Sequence, residues 1–121
     1  MSARPPAWTV RLTASAAADF EAILRWTANQ FGDAQARIYA GTISAALNDL
    51  TAGPNIVGAK ARHDILKGIG TLHVARKGRK GRHIVMFRVG GSRTRSAIEV
   101  LHLLHAAMDL QRQLPPVEES E

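Results

Sequence analysis

The 121-residue chain has no cysteine, which excludes disulfides, thiolate metal sites and cysteine nucleophiles. It has one tyrosine, Tyr39, and none in the C-terminal two thirds. No apolar run approaches the ~20 residues of a membrane-spanning helix, and the opening MSARPPAW lacks the apolar core of a secretory signal. These absences predict a cytoplasmic protein that does not engage a membrane. Acidic residues are scarce where basic ones are dense. Between Lys60 and Arg95 eleven Lys and Arg residues face Asp64 alone, whereas the rest of the chain holds five basic and nine acidic residues. The net charge of +6 therefore predicts an acidic partner that meets the second half of the chain.

The apolar residues, 45% of the chain, suit one folded domain. Residues 1–7 read as a disordered leader, 8–114 as the domain, and 115–121 as an acidic disordered tail. WTVRLT alternates apolar and polar residues and predicts a strand. Ala16, Phe20, Ile23, Leu24, Thr27 and Phe31 then recur at helical spacing, with Ser15 as the expected N-cap, Asp19 and Glu21 near the positive end of the helix dipole, and Gly32 as the stop. A second helix should start on Asp33 as its cap and carry Ala36, Tyr39, Ile43, Ala46, Leu47 and Leu50 on its apolar stripe. It should end at Gly53-Pro54.

Three apolar segments follow, 70–75, 83–89 and 97–104, joined by KGRKGR and GGSRTR. Short basic loops with glycine between apolar runs predict hairpins. The order β-α-α-β-β-β gives an α+β domain, a mostly antiparallel sheet with an N-terminal helical hairpin packed on it. Within EVLHLLHAAMD, His102 and His105 would share a face on a helix but diverge on a strand. A strand there removes a joint metal site, so neither a metal nor a cofactor is expected. His105 is then a structural hydrogen-bonding residue or a recognition residue, and His102 is open to either role. Trp26 falls off the apolar stripe and is expected to be partly exposed, at a protein contact or half-buried in the core.

The chain resembles the RelE/ParE superfamily of bacterial toxin–antitoxin toxins, and within it the ParE branch. Leu12, Thr13, Ala16, Asp19, Phe20 and Ile23 match its opening motif. Phe31-Gly32, Ala36, Tyr39, Ala46-Leu47, Leu50 and Pro54 match its helical part. HIVMFRV matches a strand motif, with Phe87 where the family has Tyr. Val100, Leu101, His102, Leu103, Leu104, His105, Met108 and Asp109 match the closing signature, with His102 in place of the usual Arg. The loop from Arg76 to Arg82 is longer and more basic than is usual for the family.

The resemblance implies the toxin of a type II toxin–antitoxin pair, held inactive by a cognate antitoxin, in a hetero-oligomer of higher order. A ParE-like toxin acts on DNA gyrase by binding, with no chemistry of its own. The surface expected for target or antitoxin comprises Arg76, Lys77, Arg79, Lys80, Arg82, Arg88, His105, Met108 and Asp109. RelE-like relatives instead cleave mRNA on the ribosome, which needs cations against the phosphorane and a general acid–base. Arg76, Arg82, Arg88, His83 and His105 would serve there, but the C-terminal tyrosine common in that branch is missing. A third possibility is a degenerate toxin that survives only as antitoxin partner and co-repressor.

Overall fold

The computed structural model describes residues 8–63, 66–90 and 97–107. The leader 1–7, the tail 115–121, Met108 and Asp109 lie outside them, as does most of the GGSRTR connection. The described elements are β1 (Thr9–Leu12), α1 (Ala14–Phe31), α2 (Asp33–Asp49) ending in a 3-10 turn (Leu50–Ala52), β2 (Lys60–Ala61), β3 (Ile69–His73), β4 (His83–Gly90) and β5 (Ala97–His105). They form the expected α+β architecture, with one addition. The two-residue β2 lies in what read as linker, too short to show any periodicity.

The five strands form one sheet in the order β1-β5-β4-β3-β2. Every neighbouring pair is antiparallel except β1 and β5, which run parallel with Thr9 opposite Ala97 and Leu12 opposite Val100. The helical hairpin covers one face. Ala16, Ile43, Ala46 and Leu50 from the helical part meet Leu72, Val74, Val85, Phe87, Ile98, Val100 and Leu103 from the sheet. Ile69, Met86, Leu101 and Leu104 form a second buried cluster with Leu66 packed against it.

A β-bulge explains how β5 serves both clusters. Met86 pairs with His102 and Phe87 with Val100, so Leu101 is the extra residue. Side chains alternate along a strand, yet Val100 and Leu103 share the helix-side core although they are three apart. The bulge supplies that change of phase. Gly70 is the partner of Phe87 in the next ladder, where an added Cβ would come 2.5 Å from the Phe87 ring. The absent side chain makes room for the ring.

The helix starts differ from expectation. Thr13, not Ser15, caps α1. Its hydroxyl accepts the Ala16 N–H at 3.2 Å and donates to Val100 O at 2.9 Å. It therefore ties the first turn to the bulge as well. Asp33 is the first residue of α2 rather than its cap, because Gly32 alone joins the helices, with φ +96° and its N–H on Ala28 O. A positive φ at that position suits glycine. Phe31 belongs to the predicted core stripe but is 65% exposed at the end of α1.

Candidate functional site

The β3–β4 connection turns on Arg76-Lys77-Gly78-Arg79. Lys77 and Gly78 both have positive φ, and Arg79 N–H reaches Arg76 O at 3.0 Å. Positive φ at both central residues is the arrangement of a type I′ hairpin turn. The last residue of α2 fixes this turn. Asp49 Oδ2 lies 3.1 Å from Arg76 Nε, and its Oδ1 lies 3.3 Å from Lys77 Nζ. The Arg76 and Asp49 side chains are 14% and 15% exposed, and Arg76 also donates to Val57 O at 2.9 Å. The Arg76–Asp49 contact is an ion pair off the line of a good hydrogen bond. These two cations hold the loop to the helix. Arg79 is half-buried, and one of its guanidinium nitrogens is buried without a hydrogen-bond partner among the described residues.

Beyond the turn the chain passes Tyr39. Gly81 lets it do so, since a Cβ there would come 2.9 Å from the Tyr39 hydroxyl and 2.6 Å from Val74. The Tyr39 oxygen accepts the Arg82 N–H at 3.1 Å and meets His83 Nδ1 at 2.7 Å. With the Arg82 N–H on its oxygen, the hydroxyl keeps its own proton to offer His83 Nδ1, in the tautomer of neutral His83 that carries the ring proton on Nε2. Burial lowers the His83 pKa from 6.5, and His105 and His73 lower it further. Burial raises the Tyr39 pKa above 10.0, opposed by the backbone N–H groups of Arg82 and His83. Both shifts favour the uncharged pair.

His83 and His105 face each other across β4 and β5, ring centroids 5.5 Å apart and edge to face. His105 Nδ1 accepts the Ala107 N–H at 3.1 Å. A backbone N–H can only donate, so the His105 proton also sits on Nε2 when the ring is neutral. Around this pair opens a groove of about 910 Å³ between the helical hairpin, the start of β4 and the end of β5. Lys80 and Arg82 line one side. Trp26 and Phe31 line the other, 58% and 65% exposed, their rings in edge contact at 5.8 Å. None of the lining residues is acidic.

Of the expected surface, Lys80, Arg82, His83 and His105 thus meet in one groove. Arg76 and Lys77 do not. Arg88 lies five residues along β4 from His83, roughly 16 Å at the rise of a strand, and binds Glu99 of β5 at 2.6 Å. That hydrogen bond is the main cause of a lowered Glu99 pKa. Met108 and Asp109 lie outside the described residues. His102 is separated from His105 as a strand requires. Its Nδ1 lies 3.0 Å from Asp19 Oδ2, which also accepts the Leu103 N–H at 3.0 Å. Asp19 therefore serves the edge of β5, not the start of α1. Among the described residues no group of three or more His, Asp or Glu could hold a metal ion. No described helix is long and apolar enough to cross a membrane.

Tyr39, Phe31 and Gln35 were not part of the expected site. Helical spacing places Tyr39 and Phe31 on core stripes and is silent about where a hydroxyl or a helix end reaches. Trp26, off the stripe, did carry a readable signal of exposure.

A family model described as the ParE toxin of type II toxin–antitoxin systems, parDE, matches residues 10–110. Comparison with curated protein sequences finds no match. Among solved structures, a chain of the chromosomal ParDE toxin–antitoxin system from P. aeruginosa is 22% identical with a TM-score of 0.67, covering 84% of this chain and 98% of that one. The YoeB/ParE toxin from Agrobacterium tumefaciens is 17% identical with a TM-score of 0.55, covering 80% and 96%. A chain of the RelBE2 toxin–antitoxin complex from Mycobacterium tuberculosis is 21% identical with a TM-score of 0.54, covering 82% and 98%. At these identities the likeness is one of fold.

Proposed function

Since the chain belongs to the family of ParE toxins of type II toxin–antitoxin systems, we propose that it is held inactive by a cognate antitoxin and, once free, inhibits DNA gyrase by binding. Its place of action is the cytoplasm, and with its antitoxin it forms a hetero-oligomer. The observation that carries the binding mode is the division of the cations. Cleavage of an RNA strand needs cations along its backbone as well as at the reacting phosphate. Here Arg76 and Lys77 are taken by Asp49, and Arg88 by Glu99 at the far end of β4. Lys80 and Arg82 remain beside the histidine pair, enough for docking on an acidic surface. The apolar lining from Trp26 and Phe31 fits the same reading, since exposed aromatics beside cations suit a protein contact.

One observation favours the alternative of ribosome-dependent mRNA cleavage. His83 and His105 lie side by side with Tyr39 behind them, which brings the chain's single tyrosine to the site from helix α2 although none follows it in sequence. Tightly induced expression without antitoxin, with pulse labelling of DNA and protein synthesis, separates the two. The gyrase reading expects DNA synthesis to fall first and purified gyrase to accumulate cleaved DNA in the presence of the toxin. Protein synthesis stopping first, with His83→Gln or His105→Gln abolishing the effect, would replace it with the nuclease. Unimpaired growth would leave only the antitoxin partner and co-repressor.

A further inference from the structure

The groove is an anion receptor with an aromatic wall. His105 Nδ1 accepts the Ala107 N–H, and His83 Nδ1 lies 2.7 Å from the Tyr39 hydroxyl. With that hydroxyl donating, each ring has its Nε2–H left to give. Lys80 and Arg82 line the same groove, with no side-chain ion pair or hydrogen bond among the described residues and no acidic lining residue to neutralise them. Two cations and two ring N–H groups match a terminal phosphate, which carries close to two negative charges on three strong acceptor oxygens where a carboxylate carries one. Beyond the cations the lining turns apolar, and Trp26 and Phe31 offer open ring surface with the Gln35 amide beside them.

We propose that this groove binds a nucleoside monophosphate, with the phosphate held by Lys80, Arg82 and the imidazole N–H groups of His83 and His105, and the base laid against Trp26 and Phe31. The ligand is a single nucleotide and not a longer strand. A longer polyanion would need further cations, and Arg76, Lys77 and Arg88 are already engaged by Asp49 and Glu99. A volume of about 910 Å³ lies within the range of small-molecule sites. Aromatic stacking of a base and charge-assisted contacts to phosphate are the two sources of affinity. This goes beyond the toxin reading, and it stands or falls without reference to gyrase.

The test is isothermal titration calorimetry of the purified full-length chain with AMP, adenosine and inorganic phosphate. AMP is expected to bind about tenfold or more tighter than either half alone, since each half contributes at least one decade. Trp26→Ala and Arg82→Ala should each weaken AMP by about tenfold with the melting temperature unchanged. Ring signals of His83 and His105, followed by NMR as AMP is added to the unaltered chain, should shift and so report the site without any variant. No binding of AMP at millimolar concentration, or binding that leaves both ring signals still, overturns the proposal. So does an acidic tryptophan-bearing peptide that binds where AMP does not, which would make the groove a protein-docking face.

Discussion

The Tyr39 hydroxyl accepts the Arg82 N–H and lies 2.7 Å from His83 Nδ1, so one oxygen joins α2 to the loop and to β4. Replacing it by Tyr39→Phe should cost about 1 kcal/mol, the net value of a typical hydrogen bond, and leave the His83 pKa lowered, since burial is the main cause of that shift. Urea unfolding and NMR titration of the His83 ring would show both. The same lowered pKa sets a pH dependence. As the pH falls past 6.5 the unfolded chain takes up a proton that folded His83 refuses, so stability declines until the folded pKa is passed and then levels off. Thermal melts between pH 8 and pH 5 should show that decline, and His83→Gln should flatten it. In the sequence Tyr39 reads as a core position, because periodicity reports which side of a helix a residue occupies and not how far its polar tip extends. Its ring is indeed half-buried, while the hydroxyl reaches the site.

At the scale of elements, α1 and β5 are joined through residues whose roles no local pattern reveals. Beyond Val100, β5 has no partner from β1, and Asp19 accepts the Leu103 N–H that a neighbouring strand would otherwise take. Asp19→Ala should cost about 1–3 kcal/mol, the penalty for stranding a half-buried donor. Hydrogen exchange at Leu103 should quicken ahead of the rest of β5. If exchange there stayed as slow as at Val100, another group would be serving that edge. The three long apolar runs were legible as strands because β4 and β5 are apolar on nearly every position, as strands with two packed faces must be. The bulge at Leu101 was not, since an extra residue leaves no mark in a run that is apolar throughout. The caps shifted for a similar reason. Ser15 is by type the slightly better cap, yet the choice falls to Thr13, whose hydroxyl also reaches Val100 O.

For the whole molecule, five cations of the basic half fall into two sets. Arg76, Lys77 and Arg88 hold the fold through carboxylates, whereas Lys80 and Arg82 face the groove. Charge counting along the sequence locates the basic half but cannot divide it, because Asp49 and Glu99 lie far from their partners in sequence or in composition. The two sets should separate experimentally. Arg76→Ala should destabilise by about 1–3 kcal/mol, because it leaves the mostly buried Asp49 carboxylate with only the exposed Lys77 as partner. Lys80→Ala with Arg82→Ala should leave the stability within about 1 kcal/mol of the parent's, while weakening growth inhibition. Melting curves and growth after induction of each variant would decide. Equal toxicity of the Lys80/Arg82 variant and the parent would remove the groove from the toxic surface.

The parallel pairing of β1 with β5 has a consequence for how the molecule comes into being. Thr13, at the end of β1, bonds to Val100, 87 residues later in the chain. At a synthesis rate of about 5–20 residues per second, the first strand waits roughly 4–17 s for its neighbour to be made. Over that interval the nascent chain can build its helical hairpin, but not the sheet that hairpin must cover. His105 closes β5 and one wall of the groove, so the groove cannot take shape until β5 itself has been made.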